Sequence, residues 1–316
     1  YILILVLQYK CNTLTKKRKE DNMDNYIPDD TIKLTLSNDY AFKRIFSNEE
    51  NKDILSSLLS VILKIPVKDI QDLQIENTLI GNTYIYEKTG ILDIKLTLSS
   101  GEKINVEMQK SCQADYINRV LFYWANRYKE NFQKGARYSS LTKTIVITIL
   151  NEKFPCEDKV HSIYRLTELE AKKELTDIQE IHFLDLTKVD ANNLDELNEW
   201  LLFIKTDSEE ERKMLAERNE ILEKTNNKLN LFWSNKQERY AYEQNLMKES
   251  DIESRLHDSY ALGEQRGIQI GEQRGIQMGS ISTARNLLNM NIDIDTIIKA
   301  TNLDRSIIID LQNGKL

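Results

Sequence analysis

Ile91 to Gln109 reads ILDIKLTLSSGEKINVEMQ, and its alternation decides how the rest of the chain must be arranged. In the first half Leu92, Ile94, Leu96 and Leu98 fall on one face, with Asp93, Lys95 and Thr97 on the other. In the second half Ile104, Val106 and Met108 alternate with Lys103, Asn105, Glu107 and Gln109. Period-two alternation on both sides of a Ser-Ser-Gly break predicts a β-hairpin. Apolar residues must meet across the pair, because a slip of one residue would turn every core side chain outward. A three-residue loop, Ser99 to Gly101, meets that condition, with Gly101 able to take positive φ. The register then pairs Leu92 with Met108, Ile94 with Val106 and Leu96 with Ile104. On the polar face it sets Asp93 opposite Glu107 and Lys95 opposite Asn105.

Two facing carboxylates need a reason. Cβ atoms of facing residues are only ~4.5–5.5 Å apart, and like charges there are destabilising. A divalent cation between Asp93 and Glu107 would turn that cost into a binding site, since hard cations take oxygen ligands. Gln109 points the same way and is placed to hold a water or a phosphate oxygen. Spacing alone leaves a second reading open, a solvated face whose acids tolerate one another.

Around the hairpin the pattern is α/β. Asn38 or Ser37 can cap a helix whose first turn carries Asp39, and Ser47 with Glu50 has capping-box spacing. A stripe of Ile54, Leu55, Leu58, Leu59 and Ile62 follows, ended by Pro66, and residues 67–90 are expected to form a strand and loop. After the hairpin, Asp115 to Lys134 is predicted helical, with Ile117, Val120, Leu121, Trp124, Tyr128 and Phe132 as its buried face. Arg119, Tyr123, Arg127 and Lys134 run along a flank. Residues 103–143 hold eight Lys or Arg against three Asp or Glu, so an acidic chain is locally positive beside the hairpin. Such charge suits a phosphodiester, although a solvated flank accounts for it equally well. TIVITIL (144–150) suits a buried central strand, IHFLDL (181–186) another strand, and LNEWLLFIK (197–205) a core-facing helix. The expected architecture is a mixed β-sheet flanked by helices.

Residues 206–262 are rich in Glu, Lys, Leu and Asn and predict a solvated helical arm. An internal repeat, GEQRGIQI and GEQRGIQM, then places Gly263, Gly267, Gly271, Gly275 and Gly279 every fourth residue. Each glycine costs a helix ~1 kcal/mol relative to alanine. A groove for a second helix would explain five of them, and so would a flexible connector; self-association is the favoured expectation. Residues 280–316 predict a small module of short helices, with a helix-turn-helix look but only Arg305 on the second helix for phosphate or base contact. The remaining divisions are 1–22, an upstream or disordered extension ahead of Met23, and 23–205, the α/β domain.

The totals narrow the class further. A net charge of −7 argues against general nucleic-acid coating, though not against a local basic face. Cys11, Cys112 and Cys156 form no C-x-x-C pair and fit free thiols in a cytoplasmic setting. His161, His182 and His257 are far apart and share no ligand spacing, so zinc is not expected. YILILVLQY (1–9) is too short to span a bilayer, and no membrane association is expected.

The chain resembles the Rpn family of recombination-promoting nucleases and transposases, a branch of the PD-(D/E)XK nucleases. NDYAFKRIF (38–46), GILDIKL (90–96), INVEMQ (104–109), RVLFYWANRY (119–128) and LTKTIVITIL (141–150) carry the likeness, with the glycine repeat and the helical C-terminus. It covers about Asp30 to the end. It implies a restriction-endonuclease-like fold and Mg2+-dependent (or Mn2+-dependent) cleavage of DNA, without a small-molecule cofactor. Asp93 would be the family's strand aspartate, Glu107 the acid of its E-x-K element, and Gln109 would stand where lysine is usual. The Met108 carbonyl would join Asp93 and Glu107 on the metal, Asp39 and Lys43 would lie nearby, and Arg119, Arg127 and Lys134 would hold DNA phosphates. A DNA-binding scaffold that keeps the fold without turnover, and a defence nuclease, are the competing expectations.

Overall fold

The computed structural model describes residues 26–70, 72–76, 94–110, 115–130, 132–153, 158–193 and 195–314. It divides into one unit ending at Leu246 and a second, Met247–Leu316. The extension over 1–22 and the hairpin residues Leu92 and Asp93 lie outside the described residues.

In the first unit, helices α1 (Asp39–Phe46) and α2 (Lys52–Leu63) precede strands β1 (Gln74–Ile75), β2 (Ile94–Thr97) and β3 (Lys103–Gln109). Helix α3 (Tyr116–Lys129) leads to β4 (Thr144–Leu150), β5 (His161–Thr167) and β6 (Glu174–Asp185). Helices α4 (Glu196–Lys205), α5 (Glu209–Ala216) and α6 (Glu220–Ser234) follow, and then α7 (Lys236–Asn289) begins. Among the described residues the strands form one mixed sheet in the order β1-β2-β3-β4-β6-β5. β3, β4 and β6 run parallel at its centre, and the other pairings are antiparallel.

The hairpin register holds wherever it is described: Ile94 faces Val106, Lys95 faces Asn105 and Leu96 faces Ile104. Leu98 donates its N–H to the Glu102 carbonyl, which closes a loop of Ser99, Ser100 and Gly101, and Gly101 has φ +90°. TIVITIL is buried along its whole length because both sheet faces are covered. Ile104, Val106, Met108, Ile145, Ile147, Ile149 and Leu184 face a core filled by Phe42 and Phe46 of α1, Leu55 and Leu58 of α2, and Trp200 and Phe203 of α4. On the opposite face Val146, Leu150, Ile181 and Phe183 lie beneath Tyr116 and Val120 of α3.

Several expectations need correcting. α3 is rotated from its predicted orientation: Tyr116, Val120 and Arg127 are buried, whereas Ile117 and Leu121 are 39% and 43% exposed. Tyr116 and Val120 fill the apolar patch of Val146, Leu150, Ile181 and Phe183 on that face, and Arg127 turns in to Glu76, Glu130 and the Leu96 carbonyl. The stretch after 206 is not a free arm throughout, because Leu215, Leu222, Leu229, Phe232 and Tyr242 enter the main core. Their wide spacing between charges hides them from a periodicity count. Ser47 does not cap α2; its hydroxyl donates to the Lys43 carbonyl, and Asn48 caps the short turn that precedes the helix. Asn38 does cap α1, accepting from the Ala41 N–H at 3.2 Å.

In the second unit the end of α7 joins α8 (Ile294–Thr301) and α9 (Arg305–Gln312) around Ala284, Ile297, Leu303, Ile308 and Leu311. Arg305 is paired with Asp295 of the same module. The glycine repeat is helical, and nothing lies within 4 Å of where a Cβ would stand at any of its five glycines. No described helix is long and apolar enough to cross a membrane.

Two histidines with no sequence relation meet on the β5–β6 pair. His161 Nε2 lies 2.8 Å from His182 Nδ1, and His182 Nε2 lies 2.6 Å from Glu180 Oε1. Lys143 and Arg165 complete the surroundings of Glu180. Burial first, then the nearby His182 and Lys64, pull the His161 pKa from 6.5 to about 4. Burial opposes ionisation of Glu180, but hydrogen bonds from His182 and Lys143 outweigh it and bring its pKa to about 2. Between pH 6.5 and 4 the unfolded chain therefore binds more protons at His161 than the folded one does. Its contribution is complete above pH 6.5 and is lost as the pH falls toward 4, with Glu180 adding a further loss below 4.5. Acidification from pH 7 to 5 should cost roughly 1–2 kcal/mol at His161, discounted for partial exposure of the ring. Urea unfolding at the two pH values checks this; a pH difference equally large in His161→Asn would refute it.

Candidate active site

β3 is the spine of the site. Its parallel pairing with β4 sets Asn105 beside Val146, Glu107 beside Thr148 and Gln109 beside Leu150. These residues share the sheet face under α3, and Glu107 and Gln109 stand at the carboxyl end of the strand, where open α/β sheets place their ligand sites. α3 runs back along β3 in the opposite sense. Its first turns lie over Gln109, and its last residues lie over Lys103, whose Nζ donates to the Glu130 carbonyl at 2.6 Å.

Glu107 is 6% exposed. Arg119 Nη2 donates to Gln109 Oε1 at 2.7 Å and lies 3.7 Å from Glu107 Oε1. The guanidinium also stands 4.9 Å from the centre of the Tyr116 ring, a cation–π distance. A carboxylate, an amide and a guanidinium thus converge beneath the start of α3. Because an arginine only donates, the bond fixes the amide orientation: Gln109 turns its oxygen to Arg119 and its NH2 group elsewhere.

The other candidates separate. Asp93 lies outside the described residues. Asn151 donates its N–H to the Gln109 carbonyl, so backbone groups of alternate β3 residues point to β4 and the Met108 carbonyl points to the β2 side. Asp39 and Lys43 ride on α1, which packs against β3, and Lys43 is buried. The start of α1 also sits close to the end of the parallel strands, since Ser37 Oγ is 3.4 Å from Asn151 Nδ2. At its other side α1 is held by α7, where Tyr40 donates to Glu238 at 2.7 Å and Asn38 to Asn245 at 2.7 Å.

Arg127 is committed inside the fold. It is 4% exposed, and its guanidinium donates to Glu76 and Glu130 at 2.6 Å and to the Leu96 carbonyl at 3.0 Å. Hydrogen bonding to Arg127 holds the Glu76 carboxyl below the usual range. Lys134 is exposed but falls beyond the far end of α3, at the Lys103 end of the sheet. In the sequence Arg119, Arg127 and Lys134 look equivalent. The missing signal was the direction in which α3 crosses β3.

Among the described residues no group of three or more His, Cys, Asp or Glu side chains could hold a metal ion. A magnesium ion needs only one or two protein carboxylates beside water and phosphate oxygens. The buried Glu107 carboxylate and the Met108 carbonyl are hard oxygen donors of that kind, so the described residues fit a divalent cation.

A mixed sheet covered on both faces by helices and followed by a mostly helical C-terminal region is consistent with a PD-(D/E)XK α/β fold. The sequence profile of the PD-(D/E)XK nuclease family transposases matches residues 36–259, and the chain belongs to that family. It is thereby a nuclease related to transposition, of a family that usually employs divalent metal ions. No curated protein and no solved structure matches the chain.

Proposed function

We propose that the chain is a metal-dependent DNA endonuclease of the Rpn type, acting in recombination or transposition. The observation that carries this reading is the buried Glu107 carboxylate beside Gln109 and Arg119 at the carboxyl end of β3. Asp93, Glu107 and the Met108 carbonyl would hold Mg2+ or Mn2+. When bound, the ion polarises the scissile phosphate and lowers the pKa of an attacking water. The protein's own part is to position. Gln109 directs NH2 donors at the water or at a phosphate oxygen, α3 covers the face and limits water, and Asp39 would approach from the start of α1, whose body, with Lys43, packs on the other face of the sheet. Lys134, exposed beyond α3, holds a phosphate farther along the DNA. Incubation of the full chain with supercoiled plasmid tests the reading: nicking with Mg2+ or Mn2+ and none in EDTA is expected. Tight metal-independent DNA binding with no cleavage under any divalent ion would replace it with the scaffold reading.

The glycine-striped part of α7 is proposed as a self-association element, because its open groove admits the backbone of a second copy. Light scattering should give a multiple of the chain mass for the full protein and a single chain mass after truncation at Tyr260. A monomer in both cases would discard the proposal.

A further inference from the structure

Position 109 raises a chemical problem that α3 resolves. A lysine there would bring both hydrogen-bond donors and a positive charge to the phosphate, whereas glutamine brings donors alone. We propose that Arg119 supplies the missing charge, acting through Gln109 as a positioning residue of the cleavage site rather than as an outlying DNA contact. The inference rests on the reading of Glu107 as the acid of that site.

Three features carry it. The same nitrogen, Nη2, bonds Gln109 Oε1 at 2.7 Å and stands 3.7 Å from Glu107 Oε1, so the cation lies between the two groups. The Arg119 side chain keeps 33% of its surface exposed, against 8% for Glu107, so its charge is shared between the buried acid and the solvent side where a phosphate would arrive. Its guanidinium rests near the Tyr116 ring, which restricts the direction in which it can point. The other arginine of this helix is unavailable, since Arg127 is committed to Glu76 and Glu130.

Chemically, the pair divides a lysine's two tasks. Arg119 holds the Gln109 amide by its oxygen and so sets the orientation of its NH2 group. Its positive charge offsets the negative charge that develops on phosphate oxygens during cleavage.

The test compares Arg119→Ala, Arg119→Lys and the double variant Arg119→Ala/Gln109→Lys in the full chain. Plasmid cleavage, DNA binding in EDTA and thermal midpoints are measured for each. Arg119→Ala should lower kcat by about 10–100-fold. KM and DNA affinity in EDTA should stay within about twofold, because only an interaction that strengthens in the transition state is lost. Adding Gln109→Lys should recover at least tenfold of kcat, since lysine restores donors and charge together. Arg119→Lys should lie between the parent and Arg119→Ala. An Arg119→Ala variant with parental kcat, or a loss that Gln109→Lys leaves unrescued, overturns the proposal. Weaker binding in EDTA with unchanged kcat would return Arg119 to the role of a phosphate contact. Parental cleavage in Glu107→Gln would instead defeat the assignment of the acid, which separates the two failures.

Discussion

Glu107→Gln should abolish plasmid cleavage, lowering the rate by at least about 10³-fold, equivalent to ~4 kcal/mol of barrier. The substitution keeps the side-chain volume and removes the charge. A carboxylate is needed because a hard cation prefers anionic oxygen, and a neutral amide oxygen binds it far more weakly. The variant should fold as well as the parent or better, since a buried charge is lost. A thermal midpoint equal to or above the parental value, together with lost cleavage, separates a chemical defect from a structural one. Raising Mn2+ should restore little. Rates within tenfold of the parent would mean that Glu107 is not the acid of this centre, whatever its family position.

Arg127→Ala should be the most destabilising single change on α3, costing about 3–5 kcal/mol. The arginine is buried, and its removal leaves the Glu76 and Glu130 carboxylates without their shared cation and the Leu96 carbonyl without its donor. The lower end of the range is the better expectation because both acids are partly exposed. For a domain of this size ~3 kcal/mol corresponds to a fall in Tm of roughly 6–12 °C. Arg127→Lys should recover part of the loss and no more, because one ammonium cannot reproduce a two-pronged guanidinium bond. Calorimetry or urea unfolding measures both variants. Unchanged stability combined with weaker, less salt-dependent DNA binding would reinstate Arg127 as a phosphate contact.

Arg119 and Arg127 are eight residues apart on one helix and look alike in the sequence, yet one borders the acid and the other braces the sheet. The helix rises ~12 Å between them. Because α3 runs opposite to β3, that rise carries the side chain from the Gln109 end of the strand toward the Lys103 end. Similar reasoning applies to Ile117 and Leu121. They read as core because periodicity reports an apolar stripe, but the apolar patch on the sheet face beneath α3 is filled by Tyr116 and Val120, which leaves Ile117 and Leu121 turned outward.

What the amino-acid sequence determined alone was local: the hairpin register from Ile94–Val106 to Leu96–Ile104, the loop at Gly101, the buried strand at 144–150, and the face shared by Glu107 and Gln109. Alternation and turn chemistry specify these because each depends on neighbours close along the chain. Only the tertiary structure decided which arginine meets the acid, that His161 joins His182 and Glu180, and that Leu222, Leu229 and Tyr242 complete the core. Those outcomes depend on the direction and rotation of whole elements packed against one another, and no short-range pattern encodes them.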